Sequence, residues 1–177
     1  MPRLPSFLRC LRALGRPSRV LAPSLVAPTL AVLALAADAD APGVAFPQDP
    51  TALRHVKSMV IQEGHPLAEP FGGIHHVYAN EAAWAGLEEG RFRDGALLVF
   101  DLFEVRPQEH ALVEGPRKVL AVMRRDAERF PDTGGWGFEA FAEGDPQRPT
   151  VDDPASECFA CHTSQADHGY VFSRPRG

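Results

Sequence analysis

Two thiols three positions apart, with an imidazole directly behind the second, are the side chains of this 177-residue sequence best suited to chemistry: Cys158, Cys161 and His162 in ECFACHTSQ, residues 157–165. Three kinds of chemistry use such a spacing. A Cys158–Cys161 disulfide closes a very small loop, stabilises little through loop entropy and gives His162 no role. A structural zinc ion needs a fourth ligand and a second Cys or His pair at matching spacing. Covalent attachment of haem c uses all three residues: the thiols form thioethers with two porphyrin vinyl groups, and the adjacent imidazole of His162 ligates the iron. With a single CxxCH in the chain, one haem is expected.

What the protein does then depends on the opposite face of the iron. Met59 and Met123, the only methionines beyond Met1, each lie inside an apolar strand pattern, where a thioether packs well. His75 and His76 are adjacent on an expected strand, so they face opposite sides and cannot both reach one iron. Hydrogen bonding in or near the core suits them better. His55, His65, His110 and His168 lie near turns or chain ends and read as surface histidines. No residue stands out as a sixth ligand, which leaves an open coordination position for a small gaseous or nitrogenous molecule. Ligation by Met or His instead would make the chain an electron carrier.

The elements that must position this motif are mostly strands. RHVKSMVIQ at 54–62 and IHHVYAN at 74–80 read as strands on either side of a Pro- and Gly-rich loop. NEAAWAGLEEG is a short helix with Asn80 as N-cap and Gly90 as its stop. ALLVFDLFEV, 96–105, is apolar on both faces, with Leu97, Val99, Phe103 and Val105 on one and Leu98, Phe100 and Leu102 on the other. It belongs at the centre of a sheet. RKVLAVMRRD (117–126) and WGFEAFA (136–142) supply further strands, DAERF a helical turn, and the motif opens a short helix. The fold class expected is α+β, a mainly antiparallel β-sheet with a few short helices, forming a single c-type haem domain. Trp84 and Trp136 read as packing residues. Arg117, Arg124 and Arg125 are candidates for pairing with haem propionates, since guanidinium suits carboxylate, though each taken singly reads first as a solvated surface arginine. Whether Asp152, Asp153 or Glu157 reaches the open side of the iron stays undecided.

The first 39 residues read as a signal peptide: five arginines and no acid over residues 1–20, then an apolar stretch ending in small residues, with cleavage near Ala36 or Ala39. Cys10 would leave with it. Residues 40–53 read as a linker and 54–177 as one domain. Export implies a periplasmic protein that is not membrane-bound once processed. Losing the leader's arginines deepens the net charge from −5 to about −10, which argues against nucleic acid as a partner.

HVKSMVI, HPLAEPFGGIHHVYAN, FRDGALLVFDLFE, EGPRKVLAVM, TGGWGFEAF and CFACHTSQADHGYVFS, in this order over residues 54–173, resemble the cytochrome P-460 and cytochrome c′-beta family. The resemblance implies an antiparallel β fold, a homodimer, and a five-coordinate haem with a free distal side. In the hydroxylamine-oxidising branch a strand lysine is joined to the porphyrin edge; the corresponding position here is Phe100, and neither Lys57 nor Lys118 lies in that strand. In the c′-beta branch two phenylalanines cap the distal face, and Phe71 and Phe100 occupy the matching places. Read without the resemblance, Phe100 is a core aromatic and Phe71 packs a loop.

An apolar distal wall offers no general acid or base, excludes anions, and admits neutral diatomics. The expected function is therefore nitric oxide binding for sequestration, buffering or transport, with CO as a further ligand. The alternatives are a hydroxylamine or NO oxidoreductase of the P-460 kind, and an electron-transfer cytochrome with a periplasmic redox partner.

Overall fold

Five runs of β-branched and aromatic residues, each able to pair with the next along the chain, give the simplest arrangement, a meander. The computed structural model describes residues 43–175 and has that arrangement. Strands β1 (Arg54–Ile61), β2 (Gly73–Ala79), β3 (Leu97–Gln108), β4 (Ala111–Arg125) and β5 (Trp136–Ala142) form one antiparallel sheet in the order β1-β2-β3-β4-β5. The leader expected over residues 1–39, with Cys10, lies outside the described residues. Among the described residues no helix is long and apolar enough to cross a membrane.

β3 is central, as its two apolar faces require. On the near face Leu98 joins Val56, Val77, Ala79, Trp136 and Phe138, and the helix α2 (Glu81–Glu89) closes this cluster with Ala83 and Leu87. On the far face Val99 joins Leu120, Val122 and Phe141, and residues 43–53, expected as a linker, lay Val44, Phe46 and Leu53 over them. Val99, Leu102, Leu120 and Val122 are almost wholly removed from solvent, and each such side chain contributes about 1.5–3 kcal/mol. α2 begins and ends where the sequence predicts. Asn80 accepts from the Ala83 N–H, and Gly90 adopts the left-handed conformation that stops a helix.

β3 and β4 run on beyond the expected limits into a long hairpin whose two turn residues, Glu109 and His110, both take positive φ (45° and 68°). Asp101, only 2% exposed on the far face of β3, accepts two hydrogen bonds from the Arg117 guanidinium at 2.6 and 3.0 Å. Arg117 is thereby committed to a partner on the side of the sheet away from Phe100.

Candidate functional site

The motif lies on three consecutive helical pieces: a π-helical turn (Ala155–Phe159), the short helix Ala160–His162 and a 3-10 stretch (Thr163–His168). Its start is held by acids. Asp153 accepts from the Ala155 N–H (3.1 Å) and the Ser156 hydroxyl (2.7 Å), and Glu157 accepts from the Asp152 and Asp153 N–H groups (3.2 and 2.8 Å). The Ser156 hydroxyl holds the Asp153 carboxyl below its ordinary range. Asp153 and Glu157, left undecided by the sequence, are thus engaged in capping the motif. Hydroxyls of Thr163 and Ser164 donate back to the Ala160 and Cys161 carbonyls (2.6 and 2.9 Å) and tighten the turn behind the cysteines.

His162 is oriented by the backbone. Its Nδ1 lies 2.7 Å from the Tyr170 carbonyl oxygen; a carbonyl only accepts, so Nδ1 carries the proton and Nε2 keeps its lone pair for a metal. Burial also favours the neutral ring. Phe138 and Phe172 flank the imidazole, each with its ring centroid 5.0 Å away. The carbonyl is held in place in turn: Gly169 and Tyr170 both take left-handed φ (63° and 67°), the Trp136 indole donates to the Gly169 carbonyl at 2.9 Å, and the Tyr170 ring packs on Phe159. A non-glycine residue held at such a φ marks strain kept by its surroundings.

Cys158 is half-buried and Cys161 exposed, both as free thiols. Burial, helped by Glu157 and Glu139, pushes the Cys158 thiol up to about 11. Redox CxxC pairs need the opposite shift, toward the thiolate. Among the described residues no group of three or more His, Cys, Asp and Glu is placed to hold a metal ion.

Strand register fixes what shares a face with His162. Phe138 of β5, which touches the imidazole, lines up with Met123 and Leu98. The next row on this face reads Lys57, Val77, Phe100, Ala121, Ala140, and the next Met59, His75, Leu102, Val119, Ala142. Phe100 therefore sits two strands from β5, about 10 Å across the sheet, with the half-buried methyls of Ala121 and Ala140 between. Phe71, on the short helix α1 (Ala68–Phe71), meets Phe100 edge to face at 5.8 Å. Its loop is tied to β4 by the Lys118 ammonium donating to the Gly72 carbonyl at 2.8 Å. Gly73 lets the loop dock, since a Cβ there would meet the Phe103 carbonyl oxygen at 2.1 Å.

Several sequence expectations are corrected here. Met59 does not pack in the interior; it stands 38% exposed on edge strand β1, whereas Met123 does pack in the near-face cluster. Arg117 and Arg125, which read first as surface arginines and second as propionate partners, both have partners within the protein. Arg117 pairs with Asp101, Arg124 is exposed, and Arg125 donates to the Gly134 carbonyl and stands near Asp94 beside Trp136. Two other cations flank the near face: Lys57, in the row of Phe100, and Arg174, whose charge, after burial, holds the Lys57 ammonium below its ordinary range. Neither has a carboxylate at ion-pair distance among the described residues, although Arg174 donates to the Val171 and Ser173 carbonyls and to Gln165 Oε1. A bulge between His55 and Lys57 brings Lys57 to this face, and strand alternation alone does not announce a bulge.

His75 changes the character of the wall. It is 3% exposed, its ring lies 4.6 Å from that of Phe100, and its buried Nδ1 has no hydrogen-bond partner among the described residues. The wall expected to be wholly apolar therefore contains an imidazole, while His76 on the opposite face bonds Ser58 and Glu114, both at 2.7 Å. Burial, then the Lys57 charge, lowers His75 to about 4. The buried ring is neutral, and the unfolded chain takes up a proton below its ordinary value of 6.5. Stability is therefore fully present above pH 6.5 and falls as pH drops toward 4, by about 3 kcal/mol in all. Chemical denaturation between pH 7 and 4 is expected to show this loss and a flatter profile for His75→Leu.

A flat apolar group with two acidic arms fits what this face presents: aromatic walls, a floor of small side chains, the cations Lys57 and Arg174, two thiols and an imidazole nitrogen free for a metal. The exposed Phe71 (37%) and Phe172 (47%) are surfaces such a group would cover. The Cytochrome P460 family model matches residues 47–173, and the chain belongs to that family, which implies a haem cofactor. No curated protein matches the chain.

Proposed function

We propose that the protein is an exported, periplasmic monohaem cytochrome, with haem c joined to Cys158 and Cys161 and ligated by His162, and that it binds nitric oxide at the open side of the iron, as the c′-beta branch does. The edge-to-face pair of Phe71 and Phe100, with an aromatic rather than a lysine at position 100, carries this reading. When bound, haem supplies the metal to which NO bonds directly, without needing a distal donor. The chain's part is to hold the Nε2 lone pair of His162 in place through the Tyr170 carbonyl, to exclude water and anions with the two rings, and to meet the propionates with Lys57 and Arg174.

The optical spectrum of the ferrous protein tests this. A five-coordinate, high-spin spectrum is expected; a low-spin spectrum with a strong axial ligand would make the protein an electron carrier instead. Phe100→Ala is expected to raise the association rates of NO and CO about tenfold, equivalent to about 1.4 kcal/mol of barrier. Unchanged rates would remove Phe100 from the entry path. The second reading, oxidation of hydroxylamine or NO, is favoured by one observation, the buried imidazole of His75 beside Phe100. Steady turnover of hydroxylamine with an electron acceptor would establish it.

A further inference from the structure

We propose that His75 is the hydrogen-bonding residue of the distal wall, and that it makes the pocket selective for iron ligands carrying a polar atom beyond the one that coordinates. This rests on the haem reading given above. The ring is fixed between strands: Leu102 of β3 and Met59 of β1 are its directly paired neighbours, and Phe100 lies against it at 4.6 Å with 34° between the planes. Phe100 in turn contacts Phe71, so the imidazole adjoins the aromatic pair while itself only 3% exposed.

Three features suit His75 to this role. A neutral imidazole has one N–H and one lone pair, and among the described residues no group bonds its buried Nδ1. Leaving such an atom unpaired costs folding free energy, which a polar ligand in the pocket offsets. The cation on its side of the sheet, Lys57 of β1, opposes protonation, and His76, next along β2, is turned away to Glu114. The group presented to a ligand is thus an uncharged donor and acceptor. Bound NO, dioxygen or hydroxylamine gains from it more than CO, whose outer atom is the poorest hydrogen-bond acceptor among them.

The test uses the matured, haem-loaded full chain with His75→Phe, His75→Leu and His75→Gln, reading the C–O stretching frequency of the ferrous CO complex and the NO dissociation rate. Both apolar variants are expected to raise the C–O frequency and speed NO dissociation about tenfold, the loss of one hydrogen bond. His75→Gln, which keeps a donor and an acceptor, is expected to stay near the parent on both measures. The two apolar variants differ in shape, so the comparison survives if one of them does not fold. Identical frequencies and rates across the series would overturn the role of His75 while leaving haem binding intact. A low-spin ferrous parent that becomes high-spin in His75→Leu would overturn it by making His75 an iron ligand. A parent protein that acquires no haem would overturn both this proposal and the reading it rests on.

Discussion

Cells that export and mature the Cys158→Ala, Cys161→Ala double variant are expected to yield a polypeptide from which acidified organic solvent removes all pigment, while the parent keeps its pigment on the chain. Intact mass separates the two: the parent gains the mass of one haem and the variant gains none. The expectation follows from the motif turn. Asp153 and Glu157 cap its start, Thr163 and Ser164 tighten its end, and nothing else in the described structure draws on either thiol. His162 is untouched in the variant, so pigment held without a covalent bond would still show an imidazole-ligated iron. Pigment that stays on the double variant after extraction, or that leaves the parent, would disprove attachment through these cysteines.

The second large effect is on stability and comes from the opposite face. Arg117→Ala is expected to destabilise the protein by about 3 kcal/mol, because it strands a carboxylate that is nearly inaccessible to water. The Arg117 side chain is itself one-third exposed, which holds the expected loss to the lower end of the range for buried pairs. Equilibrium denaturation of parent and variant measures it. Asp101→Asn with Arg117→Met, which removes both charges and keeps the volume, is expected to recover most of the loss. A single variant as stable as the parent would mean that Asp101 finds water or another donor.

Much of the fold is readable in the residues because their local preferences agree with the final arrangement. Leu97 to Leu102 is apolar on both sides and ends up central; Asn80 and Gly90 punctuate α2; Trp136 to Ala142 alternates and forms β5. The extension of β3 and β4 is not readable, since Pro107 argues against a strand and Glu109 and His110 lack the glycine or asparagine that usually takes a positive φ. The candidate site divides in the same way. Cys158, Cys161 and His162 announce themselves by spacing, and Phe71 and Phe100 by resemblance. The neighbours of Phe100 depend on register, a property of pairs of strands, so the approach of His75 and the turn of Lys57 onto this face emerge only once β1, β2 and β3 are aligned. Arg117 misleads because arginine suits a propionate and a buried aspartate equally well.

The acceptor that fixes His162 is a main-chain oxygen, that of Tyr170. No single side-chain replacement can delete it, so, on the haem reading proposed above, the electron-donating strength of the imidazole toward iron would be written into the path of the chain rather than into the identity of one residue. Tuning that strength would require moving the loop, for instance by relaxing the Trp136–Gly169 tether. An engineer seeking a different reduction potential would do better to redesign the indole's anchorage than to search for a titratable neighbour.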